Sequence, residues 1–203
     1  MMAKICLTLT LLCVSLSAQA QSVNPVVQWN RTLLVLVRTA GAQPATIHPT
    51  RSFAIMHAAI YDAVNAIDGT HSPYFVDLPT VSASASQDAA AAAAAHAVLA
   101  ALYPTFQAML DAQLQQSLAP IPEGAEKADG IRIGQTVADR ILALRSDDGA
   151  HAQPMPYVFG NAPGEYQSTP PNFPQQPQFT PWAHVTPFAL ERATQLRPGP
   201  PRR

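Results

Sequence analysis

The chain is short of cysteine, of charge and of glycine, and each shortage excludes something. Its two cysteines, Cys6 and Cys13, both sit close to the start of the 203 residues. Beyond them no disulfide, Cys-ligated metal site or thiol nucleophile is available. Only 12% of residues are charged and the formal net charge is −1, which removes the clustered cations that nucleic acid requires. The 9 glycines build no phosphate-cradling loop and no G-x-S-x-G nucleophile turn. Proline is the opposite case: 20 in all, eight in residues 1–150 and twelve in the remainder. With 48% hydrophobic residues the composition is that of an ordinary globular protein, so wholesale disorder is excluded.

The first twenty residues read as a targeting segment. Lys4 precedes an apolar run over residues 5–16, followed by Ser17, Ala18, Gln19 and Ala20. That is the order of a secretory signal peptide with an A-x-A cleavage site. Cleavage after Ala20 removes both cysteines. The run falls short of the ~20 apolar residues of a spanning helix, and Leu11 and Leu12 before Cys13 argue against a lipoprotein signal. The expectation is an exported, periplasmic or extracellular protein with no stable membrane span after cleavage, its core held by packing alone.

Residues 21–149 predict an all-α arrangement of about five helices forming part of a helical bundle. Asn24-Pro25 opens the first, since Asn caps and Pro suits the first helical position. Residues 33–37 are apolar on every side and predict burial on most faces, with Gly41 closing the helix. The second starts near His48-Pro49 and runs to about Asp68 before Gly69. Its apolar stripe is Phe53, Met56, Ile60, Ala63, Val64 and Ile67. Ser84 or Ser86 caps a third helix containing seven consecutive alanines, residues 89–95, whose small side chains let neighbours approach closely. Pro104 starts a fourth through Phe106, Met109, Leu110, Leu114 and Leu118. A fifth follows Pro120 and Pro122, with Ile131, Gly134, Val137, Ala138, Ile141 and Leu144 on one side, Glu123 and Lys127 weakly paired on its exposed first turns, and Gly149 at its end. No segment alternates with period two. Residues 150–203 are broken by prolines yet carry Tyr157, Phe159, Tyr166, Phe173, Phe179, Trp182 and Phe188. They predict an irregular strap that lies across the helices and buries its rings.

Candidate chemistry is sparse. Arg51, His57 and Asp62 share the second helix, but Arg51 and His57 stand about 240° apart around it and cannot converge. His57 and Tyr61 are four apart and suit a hydrogen-bonded structural pair. Asp62 and Asn65 are placed to bind a neighbouring helix or loop. A structural role is favoured over catalysis for all of them. Asp147-Asp148-Gly149 lacks the further oxygens of a calcium loop and reads as a helix-ending turn. His48, His71, His96, His151 and His184 show no zinc spacing. The Asn30-Arg31-Thr32 glycosylation sequon lies within a helix. By residues alone no catalytic, cofactor-binding or metal site is assigned.

The order of segments nevertheless resembles a family. Trp29-Asn30, the stretch from Pro49-Thr-Arg51 through His57 and Tyr61-Asp62-Ala-Val-Asn65, Asp88 with the alanine-rich helix and Tyr103-Pro104, Gly130-Ile-Arg-Ile-Gly134, Arg145-Ser-Asp-Asp-Gly149, Pro163-Gly-Glu-Tyr166, Pro181-Trp182 through Pro187-Phe188 and Arg197-Pro198 are together similar to the N-terminal part of bacterial vanadium-dependent haloperoxidase-like proteins. These belong to the type 2 phosphatidic acid phosphatase superfamily. The resemblance covers nearly all of residues 21–203.

What it implies is a helical-bundle enzyme whose vanadate or phosphate pocket uses three motifs: Lys-x6-Arg-Pro, Pro-Ser-Gly-His and Ser-Arg-x5-His. Such a pocket surrounds anionic oxygens with cations and supplies a histidine that attacks phosphorus or ligates vanadium. Lys127 has no matching Arg-Pro, Arg197-Pro198 has no matching lysine, and Pro-Ser-Gly-His is absent. Thr50-Arg51-x5-His57 imitates the third motif by spacing, but that stretch precedes the active-site motifs in the family and inherits no role. The resemblance therefore implies a truncated or split member. It would be the scaffold half, with a helical N-terminal domain at 21–149 and the strap ending where the catalytic half would begin. Alone it would be inactive and bind no vanadate, and its partner would be a complementary catalytic half or a second copy of itself. The alternative expectation is a stand-alone exported helical interaction module.

Overall fold

The computed structural model describes residues 24–43 and 47–199. The expected signal peptide at 1–20 and both cysteines lie outside the described residues. Five α-helices follow in order: α1 Pro25–Arg38, α2 His48–Asp68, α3 Gln87–Leu102, α4 Gln107–Leu118 and α5 Ala125–Arg145. Short 3-10 turns occupy Pro104–Phe106 and Thr180–His184, and the described residues contain no strand. The protein is all-α.

Local chemistry accounts for the boundaries. The Asn24 Oδ1 accepts the Val26 and Val27 N–H groups at 2.9 and 3.4 Å, satisfying donors that an α-helix leaves free at its start. Thr39 ends α1 in extended geometry, so Gly41, at φ 79°, belongs to the turn beyond it. Gly69 takes the left-handed conformation at φ 66° and returns its N–H to the Asn65 carbonyl at 2.7 Å, a helix stop that favours glycine. Ser86, rather than Ser84, caps α3 by accepting the Ala89 N–H at 3.2 Å. Pro104 begins a turn of 3-10 helix ahead of α4, and α5 ends at Arg145, before Asp147 and Asp148.

α3 is the central element. All seven alanines at 89–95 are buried, together with Val98 and Leu99, and the helix touches α5, α2, α4 and α1. Against it lies the face of α5 made by Gly130, Ile133, Gly134, Val137, Ala138 and Ile141. A Cβ placed on Gly130 would collide with the Ser86 carbonyl oxygen, and one on Gly134 with the Ala90 carbonyl oxygen. The two backbones are therefore as close as absent side chains allow. Ser86 N–H also donates to the Glu126 carbonyl at 2.9 Å, joining the first turns of the two helices. The face differs slightly from the sequence reading: Leu144 is exposed and Ile131 only half-buried, because the contact is centred on the two glycines.

Four further expectations are corrected. α1 is not buried on most faces: Trp29, Leu33 and Leu36 are fully buried, but Val27 and Val35 face outward, so the helix packs on one side only. On α4, Leu110 and Leu118 are buried while Met109 is exposed. Lys127 is buried rather than on an exposed turn, its ammonium reaching Glu123 Oε1 at 2.5 Å and the Ile121 carbonyl at 3.3 Å. Finally, the strap does not bury all its rings. Phe159, Tyr166 and Phe173 are exposed, and the packing is limited to Phe179, Trp182 and Phe188 near the second 3-10 turn. Proline supplies no N–H and fixes φ, so this segment forms no regular element, and Tyr157, Phe159 and Tyr166 gather instead on one another, with centroids 5.4–6.1 Å apart.

The α3–α5 approach makes a direct stability prediction. Gly134→Ala is expected to lower the unfolding free energy by about 1–3 kcal/mol, the usual range for overpacking, although alanine is the better helix former. Chemical denaturation of wild type and variant reads the difference. An unchanged or raised stability would mean that the helices separate at little cost.

Candidate functional site

The polar side chains of α2 go to three different places. Asp62 is fully buried, and its carboxylate accepts three consecutive backbone N–H groups: Tyr74 on Oδ1 at 2.6 Å, Phe75 and Val76 on Oδ2 at 2.9 and 2.8 Å. A buried carboxylate needs such partners, and charge-assisted bonds of this kind are the strong ones. One turn on, Asn65 brackets His71, giving its amide to the His71 carbonyl at 2.7 Å and accepting the His71 N–H at 3.0 Å. The Tyr61 hydroxyl donates to the Ser72 carbonyl at 2.8 Å. Three side chains spaced along one face of α2 thus fix the connection that leaves it, the loop-binding role expected of Asp62 and Asn65.

His57 does not pair with Tyr61. Its Nε2 lies 3.0 Å from Asn30 Oδ1, and its ring stacks parallel to Phe53 with centroids 6.3 Å apart. The contact joins α2 to α1 and engages the sequon asparagine inside a helix. Burial disfavours the charged imidazolium and lowers the His57 pKa below its ordinary value of 6.5. His57, Tyr61 and Asn65 border a largely apolar cavity of about 480 Å³ with Val26, Ile60 and Val64.

Arg51 turns away from both His57 and Asp62. Its Nε donates to Asp148 Oδ2 at 2.8 Å and its Nη2 to the Arg145 carbonyl at 2.7 Å. Arg145, 3% exposed in its side chain, donates to the Thr186 carbonyl at 2.8 Å, the Tyr74 hydroxyl at 2.7 Å and the Pro187 carbonyl at 3.2 Å. Its guanidinium carbon sits 3.7 Å from the centre of the Phe188 ring, a cation–π contact. Asp148 completes the group. Its Oδ1 accepts the Ala150 N–H at 3.1 Å, and its carbonyl accepts the Thr186 N–H at 2.9 Å. The turn after α5 is thus a buried junction where α2, α5, the loop at 74 and the chain at 186–188 meet.

The sequence reading missed much of this. Arg145 is a structural hub, and the burial of Asp148 was not foreseen in a turn read as merely ending a helix. Ser52, Tyr103 and Gln43 form a further polar cluster. The Tyr103 hydroxyl lies 2.6 Å from Gln43 Oε1 and 2.9 Å from Ser52 Oγ. Burial pushes the Tyr103 pKa up, and the Ser52 hydrogen bond partly opposes it. The available signal was the apolar setting itself, because a polar residue among core positions requires a partner.

The remaining candidates are scattered. His96 sits 2.7 Å from Asp111 across the α3–α4 contact, and the hydrogen bond from His96 lowers the Asp111 pKa. Asp147 is exposed. Among the described residues no group of three or more His, Cys, Asp or Glu side chains is placed to hold a metal ion. No single helix among them is long and apolar enough to cross a membrane.

Two measurements probe these anchors. Asp62→Asn keeps the shape but loses the charge that three N–H groups face, and is expected to destabilise by about 2 kcal/mol in chemical denaturation; a change near zero would mean that the loop is held elsewhere. For His57 the sign follows from its lowered pKa. The unfolded chain binds a proton at higher pH than the fold does, so stability falls as pH drops below the unfolded value. His57→Gln should flatten that fall between about pH 7 and about pH 5, read as denaturation midpoints; an unaltered slope would remove His57 as its source.

Comparison with protein-family models, with curated proteins and with solved structures gave no match.

Proposed function

We propose that this chain is the exported scaffold portion of a vanadium-dependent haloperoxidase-like protein of the type 2 phosphatidic acid phosphatase superfamily. In this reading it works with a catalytic part that supplies the vanadate- or phosphate-binding motifs, and it has no turnover alone. The support is the order of sequence segments from Trp29 to Pro198, together with the all-α fold in which those up to Arg145 lie.

One observation carries the scaffold role. The two buried guanidiniums within those segments are engaged by the chain's own acceptors: Arg51 by Asp148 and the Arg145 carbonyl, Arg145 by Thr186, Pro187 and Tyr74. A pocket for a tetrahedral oxyanion needs cations and an imidazole converging on one point. Here Arg51 points to Asp148 while His57, the histidine at imitating spacing, points to Asn30. The residues present therefore do not fit vanadate, and no catalytic step is assigned to them. Their role is to hold the end of α5 and the chain at 186–188 against α2, a surface on which a catalytic part can be built.

A specific feature favours a second reading, an exported helical interaction module with no catalytic partner. Met155, Val158 and Phe173 are exposed in the proline-rich segment, as expected of chain that acts by contact with another molecule.

The test is an assay of the purified chain with p-nitrophenyl phosphate, and with bromide, peroxide and vanadate. The scaffold reading expects no turnover above buffer in either, and activity restored on adding a polypeptide that carries the three motifs. Turnover that co-purifies with this chain alone would overturn it. A chain that melts cooperatively as a monodisperse species, and gains no activity from the added polypeptide, would favour the interaction module.

A further inference from the structure

Two cavities meet at the start of α2. The inner one, about 190 Å³, is lined by Gln43, His48, Arg51, Ser52 and His151 among others. The outer one, about 590 Å³, is walled by Phe179, Trp182 and the prolines at 154, 177 and 181. They share His48, Ala150 and His151 as wall residues. Two imidazoles therefore stand between a small chamber that carries polar side chains and a larger one walled by rings and prolines. The His48 ring is held edge-on by Phe179 and Trp182, with centroids 5.4 and 4.9 Å away.

The inner chamber has hydrogen-bonding capacity that the protein leaves unused. His48 Nδ1 and Gln43 Nε2 are both buried without a partner. Gln43 Oε1, by contrast, is occupied by the hydroxyls of Tyr103 and Ser52 at 2.6 and 3.2 Å. Leaving such groups unsatisfied costs free energy, so a ligand or water that bonds them is favoured.

The local charge selects among ligands. In the junction below the chamber one carboxylate, Asp148, faces two guanidiniums, Arg51 at 2.8 Å and Arg145 at 3.9 Å. That group of three carries a net positive charge. α2 has no acidic residue in its first turn and no side-chain cap, so its N-terminal dipole adds to the same sign. A positive, donor-bearing chamber opening onto an aromatic one matches a molecule with a carboxylate at one end and an apolar ring-sized body at the other.

We propose that the two cavities together bind a small apolar carboxylic acid. The carboxylate occupies the inner chamber and accepts from Gln43 Nε2 and the His48 imidazole, and the body lies against Trp182 and Phe179. This site is independent of the scaffold reading, since binding without turnover fits either functional outcome.

Titration calorimetry of the full chain with benzoate, benzamide and acetate tests it. Benzoate should bind at one site, with benzamide weaker by about tenfold for want of the charge and acetate weaker for want of the ring. Gln43→Ala, outside every helix, should weaken benzoate by about tenfold; it also removes an acceptor of the buried Tyr103 hydroxyl, so the chain is expected to keep a cooperative melt at a lower midpoint. Proton NMR should show the His48 and His151 ring signals moving with benzoate while those of His71 and His96 stay. Equal affinity for benzoate and benzamide would mean that the chamber holds only water, and would overturn the proposal. So would failure to saturate below about 10 mM, or ring shifts confined to other histidines.

Discussion

The contact between α3 and α5 is the constraint from which the other placements follow. Gly130 and Gly134 press on the Ser86 and Ala90 carbonyls with no side chain between them, and the seven alanines give α3 almost no radius of its own. A thin central helix lets α1, α2, α4 and α5 all reach it. Close backbones also gain dense van der Waals contact, small per atom pair but summed over the whole face. The same choice has a cost in hydrophobic area, because alanine buries little apolar surface. The larger side chains that make up the difference, Trp29, Leu33, Met56, Ile60, Leu110 and Ile141, come from the surrounding helices and close over α3 from outside.

What the apolar packing does not determine is where the irregular chain runs. Polar anchors do that. Asp62 gathers three successive N–H groups of the loop at 74–76, and Arg145 gathers the carbonyls at 186 and 187. The two anchors are linked through Tyr74, whose N–H is bound by Asp62 and whose hydroxyl is bound by Arg145. Groups of this kind are costly to bury alone and strong when fully bonded, so they specify one path among many that are equally apolar. Buried charge is weak evidence for net stability, and in this fold its function is positional.

How much was legible in the sequence divides along the same line. The five helices, the Asn24 cap and the Gly69 stop follow from periodicity and end chemistry, which are local; the stripe of α2 does so in part, since Met56, Ile60, Ala63 and Ile67 are buried, Phe53 and Val64 only half so, and Ile55 and Ala59 join the buried face. The alanine run announced close packing, though not that its partner was the Gly130–Gly134 pair on α5. The loop-binding roles of Asp62 and Asn65 were readable because a polar side chain set between apolar stripes must find a partner. Arg51–Asp148 was not readable: the two lie 97 positions apart, and no spacing rule spans such a separation. The packing of the proline-rich segment was overestimated for a related reason. Aromatic content indicates that rings prefer cover, but cover requires a chain that can follow a surface, and the rings brought to the helices are those at and beside the 3-10 turn, Phe179, Trp182 and Phe188.

These anchors also separate the two functional uses of positive charge in the fold. An arginine that is to receive a changing anionic ligand must keep donors free and tolerate loss of the anion. Arg145 is bonded to backbone carbonyls, a hydroxyl and an aromatic face, partners that never leave, and its charge is thereby made permanent structure. The potential of the group is not fully consumed, however, because the single Asp148 carboxylate, 2.8 Å from Arg51 and 3.9 Å from Arg145, offsets only one of the two guanidinium charges. It extends beyond the junction, weakly screened by the buried surroundings, toward the chamber bordered by Gln43, His48 and Arg51. A guanidinium held by the fold can thus still bias the potential beside it, and the proposed anion site rests on that property.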